Sequence, residues 1–174
     1  MADVLVLCYH AVSDRWPAAL AVTPQALEAQ LEQLLRRGYR GATFHDALHA
    51  PPARKTVAVT FDDAYRSVGE LAFPILNRLG LPATVFVPTD FPDTGRPMAW
   101  PGIDDWLGGP HEQELAALSW ADLEWLAGAG WEIGSHTCSH PRLTQLDRPA
   151  LDRELRASRA ACEARLGRPC QTVA

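Results

Sequence analysis

No two cysteines in this sequence stand in a C-x-x-C spacing, and the chain has only four: Cys8, Cys138, Cys162 and Cys170. A disulfide framework is therefore not expected, and reduced, mostly buried thiols are. Positive charge is not in excess either. Lysine and arginine number 16 against 21 acidic residues, a net charge of −5, so there is no electrostatic reason to expect nucleic acid as a partner. Long apolar runs are missing. The first, Val4 to Tyr9, is too short for a signal peptide and has no basic stretch before it, and none approaches a membrane span. A chain that starts at Met1 is then expected in the cytoplasm. Internal repeats and low-complexity tracts are also absent. What is present, 47% hydrophobic and 21% charged residues over 174 positions, suits a single folded domain spanning 1–174.

Short apolar runs alternate with helical patterns. "DVLVLCY", Asp3 to Tyr9, reads as a buried strand. Thr23 caps a helix with Pro24 at its first position, Leu27, Leu31, Leu34 and Leu35 on one face, and Gly38 at its end. "TVAVTF", Thr56 to Phe61, is β-branched and apolar and reads as a second strand. A helix near Ser67 to Leu79 follows, ended by Gly80, and "ATVFVP", Ala83 to Pro88, is the next strand. From Thr89 to Leu118 the pattern breaks into a long segment rich in Pro, Gly and Asp, a length more typical of functional loops. Ser119 and Asp122 resemble a capping box for a helix containing Leu123 and Leu126. "GWEIGSH" supplies another strand, Pro149 to Leu166 a last helix closed by Gly167, and "CQTVA" the start of one more strand. Strands alternating with helices predict an α/β fold with parallel strands, as an open sheet or a β/α barrel.

In such folds ligands sit beyond the C-terminal ends of the strands. The polar residues found there are His10, the pair Asp62-Asp63, and His136 with His140. The two histidines alone are equally readable as surface or capping residues, and the aspartates alone as a turn. Together, two imidazoles and a carboxylate form a three-ligand set suited to catalytic zinc, with one coordination position left for water. Neighbouring residues leaving a strand point different ways. One aspartate can then bind metal while the other accepts a proton.

"TFDDAY" (Thr60 to Tyr65) and "GSHTCSHPRL" (Gly134 to Leu143) resemble the first two motifs of the polysaccharide deacetylases, the NodB-homology domain of carbohydrate esterase family 4. "LCYHAV" (Leu7 to Val12) and "LSWADLEWLAGAGWEIGSH" resemble the family's opening and its approach to the second motif. The resemblance implies a distorted (β/α) barrel of about seven strands, of which this chain would cover the N-terminal part. It implies a divalent metal, usually Zn2+, and removal of an acetyl group, amide or less often ester, from an N-acetylated sugar or polysaccharide. Carried over by position, Asp62 matches the catalytic base, and Asp63, His136 and His140 match the metal ligands. Three further family motifs, which supply an oxyanion donor, a site-lining segment and a general-acid histidine, lie beyond "LGRPCQTVA". A longer parent protein is therefore expected.

Three more residues are candidates for lining the site. His10 stands on the proposed rim, with a structural hydrogen bond as the alternative. Tyr65 stands near where many members of the family have glycine and is expected to narrow the entrance. Trp100, like Trp106, has a face suited to a sugar ring, although anchoring of the long loop suits both as well. Cys138, two residues from each histidine, is expected to turn away. Asp104-Asp105 follows no strand and reads as solvated, and His45, His49 and His111 receive no role. Two other functions remain open: a deacylase or deformylase of a lipid-linked sugar or other amide, and a noncatalytic carbohydrate-binding domain. The expected partner in each case is a carbohydrate or glycoconjugate.

Overall fold

Strands and helices alternate along the computed structural model, which describes residues 3–174. In chain order they are β1 (Asp3–Tyr9), β2 (Ala11–Val12), β3 (Ala21–Val22), α1 (Pro24–Arg36), β4 (Arg40–Ala42), α2 (Phe44–His49), β5 (Lys55–Phe61), α3 (Phe73–Leu79), β6 (Thr84–Val87), α4 (Trp120–Gly128), β7 (Glu132–Ser135) and α5 (Arg148–Leu166). Among the described residues, five strands form one sheet in which every pairing is parallel. β1 runs along the full length of β5 on one side. On the other side β4 flanks the start of β5, β6 flanks Thr60 and Phe61 at its end, and β7 lies beyond β6. Thr56 to Phe61 is buried throughout, which is why that run is almost continuously apolar rather than alternating.

The two faces of the sheet bury different partners. Val57, Val59 and Phe61 join Leu27 and Leu31 of α1, Leu76 of α3 and Leu123 and Leu126 of α4 in the main core. Ala58, from the opposite face, packs with Ala42 and Ala47, so α2 covers that side near the start of the strands. The expected caps are made. Thr23 accepts from the Ala26 amide, and Ser119 and Asp122 form a reciprocal capping box at the head of α4. α5 starts one residue earlier than the sequence pattern suggests, because Asp147 accepts from the Ala150 amide at 2.8 Å.

The expected helix from Ser67 to Leu79 is not uniform. Val68–Ala72 is a wider, π-type turn that leads into α3. Pro74 explains this, since it has no N–H and its ring crowds the carbonyl four residues back. Among the described residues, the segment "CQTVA" pairs through a single parallel bridge, Ser135 to Val173. Strands β2, β3 and β4 and helix α2 were not legible in the sequence, because two to six residues are too few to show a period.

Candidate active site

The end of β5 builds the acidic half of the site. The Asp62 amide continues the ladder by donating to Tyr9 O at 2.9 Å. Asp63 and Ala64 then both adopt left-handed backbone, φ 69° and 54°. For non-glycine residues this conformation costs free energy and persists only where surroundings enforce it. Here Leu118 N donates to Ala64 O and Arg66 N to Ala116 O, so the end of the long loop clamps the turn. The abrupt turn separates the two carboxylates. Asp62 stays half-buried, while Asp63 is buried.

The end of β7 builds the imidazole half. His136 N donates to Val87 O at 2.9 Å, keeping the first histidine in register with β6. Gly134 is required just before it, because a Cβ there would lie 2.6 Å from the Phe86 ring and from Thr172 Oγ1. Thr137 and His140 are left-handed, φ 64° and 58°. Thr137 Oγ1 accepts from His140 N at 3.1 Å, closing the small loop. Glu154, reaching in from α5, accepts from the amides of Cys138 and Ser139 and from Ser139 Oγ. Sequence reasoning missed Glu154, since nothing in a helix pattern tells which carboxylate turns inward. Cys138 points away from the histidines, with Sγ 3.6 Å from Glu154 O.

These loops bring Asp63, His136 and His140 together. Asp63 Oδ1 lies 3.3 Å from His136 Nε2 and 3.4 Å from His140 Nε2. That same oxygen is buried and finds no hydrogen-bond donor among the described residues. His136 Nδ1 is 2.8 Å from the carbonyl of Ala174, so Nδ1 carries the proton and Nε2 presents a lone pair. A lone pair facing an orphaned carboxylate oxygen needs a positive charge between them. A tetrahedral zinc ion with ligand bonds of about 2.0 Å holds such atoms roughly 3.3 Å apart. The residues present therefore fit a metal ion. Burial pulls the His136 imidazole down, but the Asp63 carboxylate, helped by Asp62, overrides it and holds His136 above its ordinary value. His140 is lowered, by burial first, with the neighbouring His136 adding to it.

The other candidates divide. Trp100 is buried and stacks on the His140 ring, centroids 4.2 Å apart, with Phe91 against its edge. Its place is beside the His140 ring, as part of the loop's anchorage. Tyr65 does not narrow an entrance. It is fully buried with its ring against Trp16, because the left-handed turn at Asp63 and Ala64 sends the chain inward. Burial and then the Asp63 carboxylate push its phenol far up. His10 sits half-buried on the rim, and one of its ring nitrogens lies within 4.8 Å of ligand atoms of Asp62 and Cys8. Cys8, another residue missed from the sequence, donates to Asp62 Oδ2 at 3.3 Å. Burial and the Asp62 charge raise its thiol to about 11. Trp106 packs against Trp16 and His111, and Asp104 and Asp105 are exposed.

Known proteins resemble this chain in sequence and in fold. The Bacillus subtilis (strain 168) protein YxkH, which carries a polysaccharide deacetylase designation, is 28% identical over 150 residues, covering 83% of this chain and 46% of its own. This chain thus spans about half the length of that curated relative. The Streptococcus pyogenes deacetylase PplD, solved in complex with acetate, shares the fold with a TM-score of 0.79 at 23% identity, over 99% of this chain and 73% of that one. A polysaccharide deacetylase from Bacillus cereus superimposes with a TM-score of 0.77 at 26% identity, over 98% of this chain and 49% of the other. The all-parallel α/β sheet is therefore the one found in deacetylase structures, with this chain covering part of their length. The sequence profile for polysaccharide deacetylase matches residues 49–174, a stretch that takes in both the Asp62-Asp63 turn and the His136–His140 loop, and the chain belongs to that family.

Proposed function

We propose that this protein is a metal-dependent hydrolase that removes an acetyl group from an N-acetylated sugar or polysaccharide, with Zn2+ as the metal. The observation that carries this reading is the orphaned Asp63 Oδ1 between two imidazole nitrogens, with a second carboxylate beside it. Asp63, His136 and His140 would hold the ion. When bound, it supplies a Lewis acid that polarises the acyl oxygen and acidifies water.

The chain's own groups account for the proton. Cys8 donates to Oδ2 of Asp62, which leaves Oδ1 free to accept from an attacking water. Asp62 is close enough for its charge to act on both imidazoles, so its carboxylate lies at the same rim as the three ligands. The His136 ring is held in one tautomer by the Ala174 carbonyl, the usual role of a partner behind a ligand histidine. The sugar itself, and the groups that protonate the leaving amine, are part of the proposal for the whole protein.

The test is acetate release from N-acetylated oligosaccharides together with metal analysis. Asp62→Asn is expected to abolish turnover, a loss of at least about 100-fold for a general base, and to keep one bound metal. His140→Ala is expected to lose the ion held with Asp63 and His136, and turnover with it. Normal turnover by Asp62→Asn would refute the role of the base. Failure of the wild-type protein to retain zinc would refute the metal.

A further inference from the structure

We propose a second metal site on the same rim, formed by Cys8, His10 and Asp62, at which a second zinc ion captures the base and inhibits the enzyme. The site follows from strand geometry. β1 and β5 are parallel with Cys8 opposite Thr60 and Tyr9 opposite Phe61, and the Asp62 amide extends the ladder to Tyr9 O. Side chains two apart along an extended chain share a face. Cys8 and His10, the latter just past the end of β1, therefore project to the same side, next to Asp62 just past the end of β5. One ligand atom of each lies within 4.8 Å of the others, and Cys8 Sγ is already 3.3 Å from Asp62 Oδ2. A tetrahedral zinc ion with bonds of about 2.3 Å to sulfur and about 2.0 Å to oxygen separates those two atoms by roughly 3.5 Å. Little movement is needed.

The donor set suits a soft or borderline ion such as Zn2+, Cd2+ or Co2+, and leaves a fourth position to solvent. Cys8 is exposed, so the ion has an open approach. On binding, the Sγ proton now shared with Asp62 leaves to solvent and sulfur takes its place as a ligand. Asp63 Oδ1 is buried and unpartnered between two imidazoles, whereas Asp62 already accepts from Cys8, so the first ion goes to Asp63 and this site fills second. The inhibitory consequence rests on Asp62 being the base; the site itself does not.

Cd2+ titration of the purified, metal-free protein tests the site without reference to turnover. The second equivalent, not the first, is expected to raise the ultraviolet thiolate-to-metal charge-transfer band. Cys8→Ser is expected to remove that band and weaken the second equivalent by at least about ten-fold, the lower end of what even an outer-shell partner costs, while the first equivalent still binds. His136→Ala is expected to lose the first equivalent and keep the band. Absence of a band in the wild type, or a band unchanged in Cys8→Ser, would overturn the site. The activity arm is separate. Acetate release is expected to fall as zinc exceeds one equivalent, and Cys8→Ser to need at least about ten-fold more zinc for the same fractional inhibition. Inhibition unaltered by Cys8→Ser would overturn the inhibitory role. Loss of all deacetylation in the wild type would count against the proposed function and leave the band to decide the site.

Discussion

Asp63 Oδ1 shows how a single atom carries a functional reading. It is buried, has no donor among the described residues, and faces two nitrogens at distances too long for good hydrogen bonds and suited to a shared ion. His140 in turn is held by neighbours rather than by its own strand. Its backbone is left-handed and its ring lies on Trp100. Trp100→Ala should therefore act twice. Chemical denaturation should show a loss of about 3 to 5 kcal/mol, the usual cost of truncating a buried large aromatic residue. Zinc titration should show weaker binding, because the plane that fixes the His140 ring is gone. Trp100→Phe retains a stacking face and should restore most of the metal affinity. If Trp100→Ala bound zinc as the wild type does, the stack would be packing and nothing more.

At the scale of elements, the site depends on how α5 and the long loop hold two turns that are strained on their own. Glu154 accepts three hydrogen bonds from the loop between the two histidines. Glu154→Gln replaces one acceptor oxygen by a donor facing donors. The expected result is a loss of metal affinity of roughly 10- to 100-fold with helix content by circular dichroism unchanged. Residues 89–118 work in the same way on the acidic turn, through Ala116 and Leu118. Ser119, just after that segment, begins α4 with a capping box, and Ser119→Ala should lower unfolding free energy by about 1 kcal/mol in the same denaturation assay. The small effect of Ser119→Ala and the larger one of Glu154→Gln on metal separate an element that carries stability from one that carries the site.

For the whole molecule, an ion bound by Asp63, His136 and His140 would tie the end of β5 to the end of β7, with β6 between them in the sheet. Binding to the folded state alone stabilises it by mass action. Free zinc at 100 times its dissociation constant should raise the unfolding free energy by about 2.7 kcal/mol, read as a shift of the thermal melting temperature. The increment should persist in Asp62→Asn and be largely lost in His136→Ala, where the weaker site at Cys8, His10 and Asp62 is left to bind zinc. An equal shift in both variants would mean that zinc acts elsewhere.

The fold class was legible in the sequence because its signals are local. A β-branched run buried on both faces, Thr23 and Ser119 as caps, and glycines ending helices are each set by a few neighbouring residues. The membership of Asp62, Asp63, His136 and His140 in one rim was also legible, since strand ends in a parallel sheet all face the same way. The tertiary structure alone decided what touches what. It turned Tyr65 into the core, laid Trp100 on His140, brought Glu154 under the histidine loop and placed Cys8 against Asp62. Each of those contacts joins residues that no period relates, across strands or from a helix back to a loop. Their geometry is set by packing and by left-handed turns, which a linear pattern does not specify.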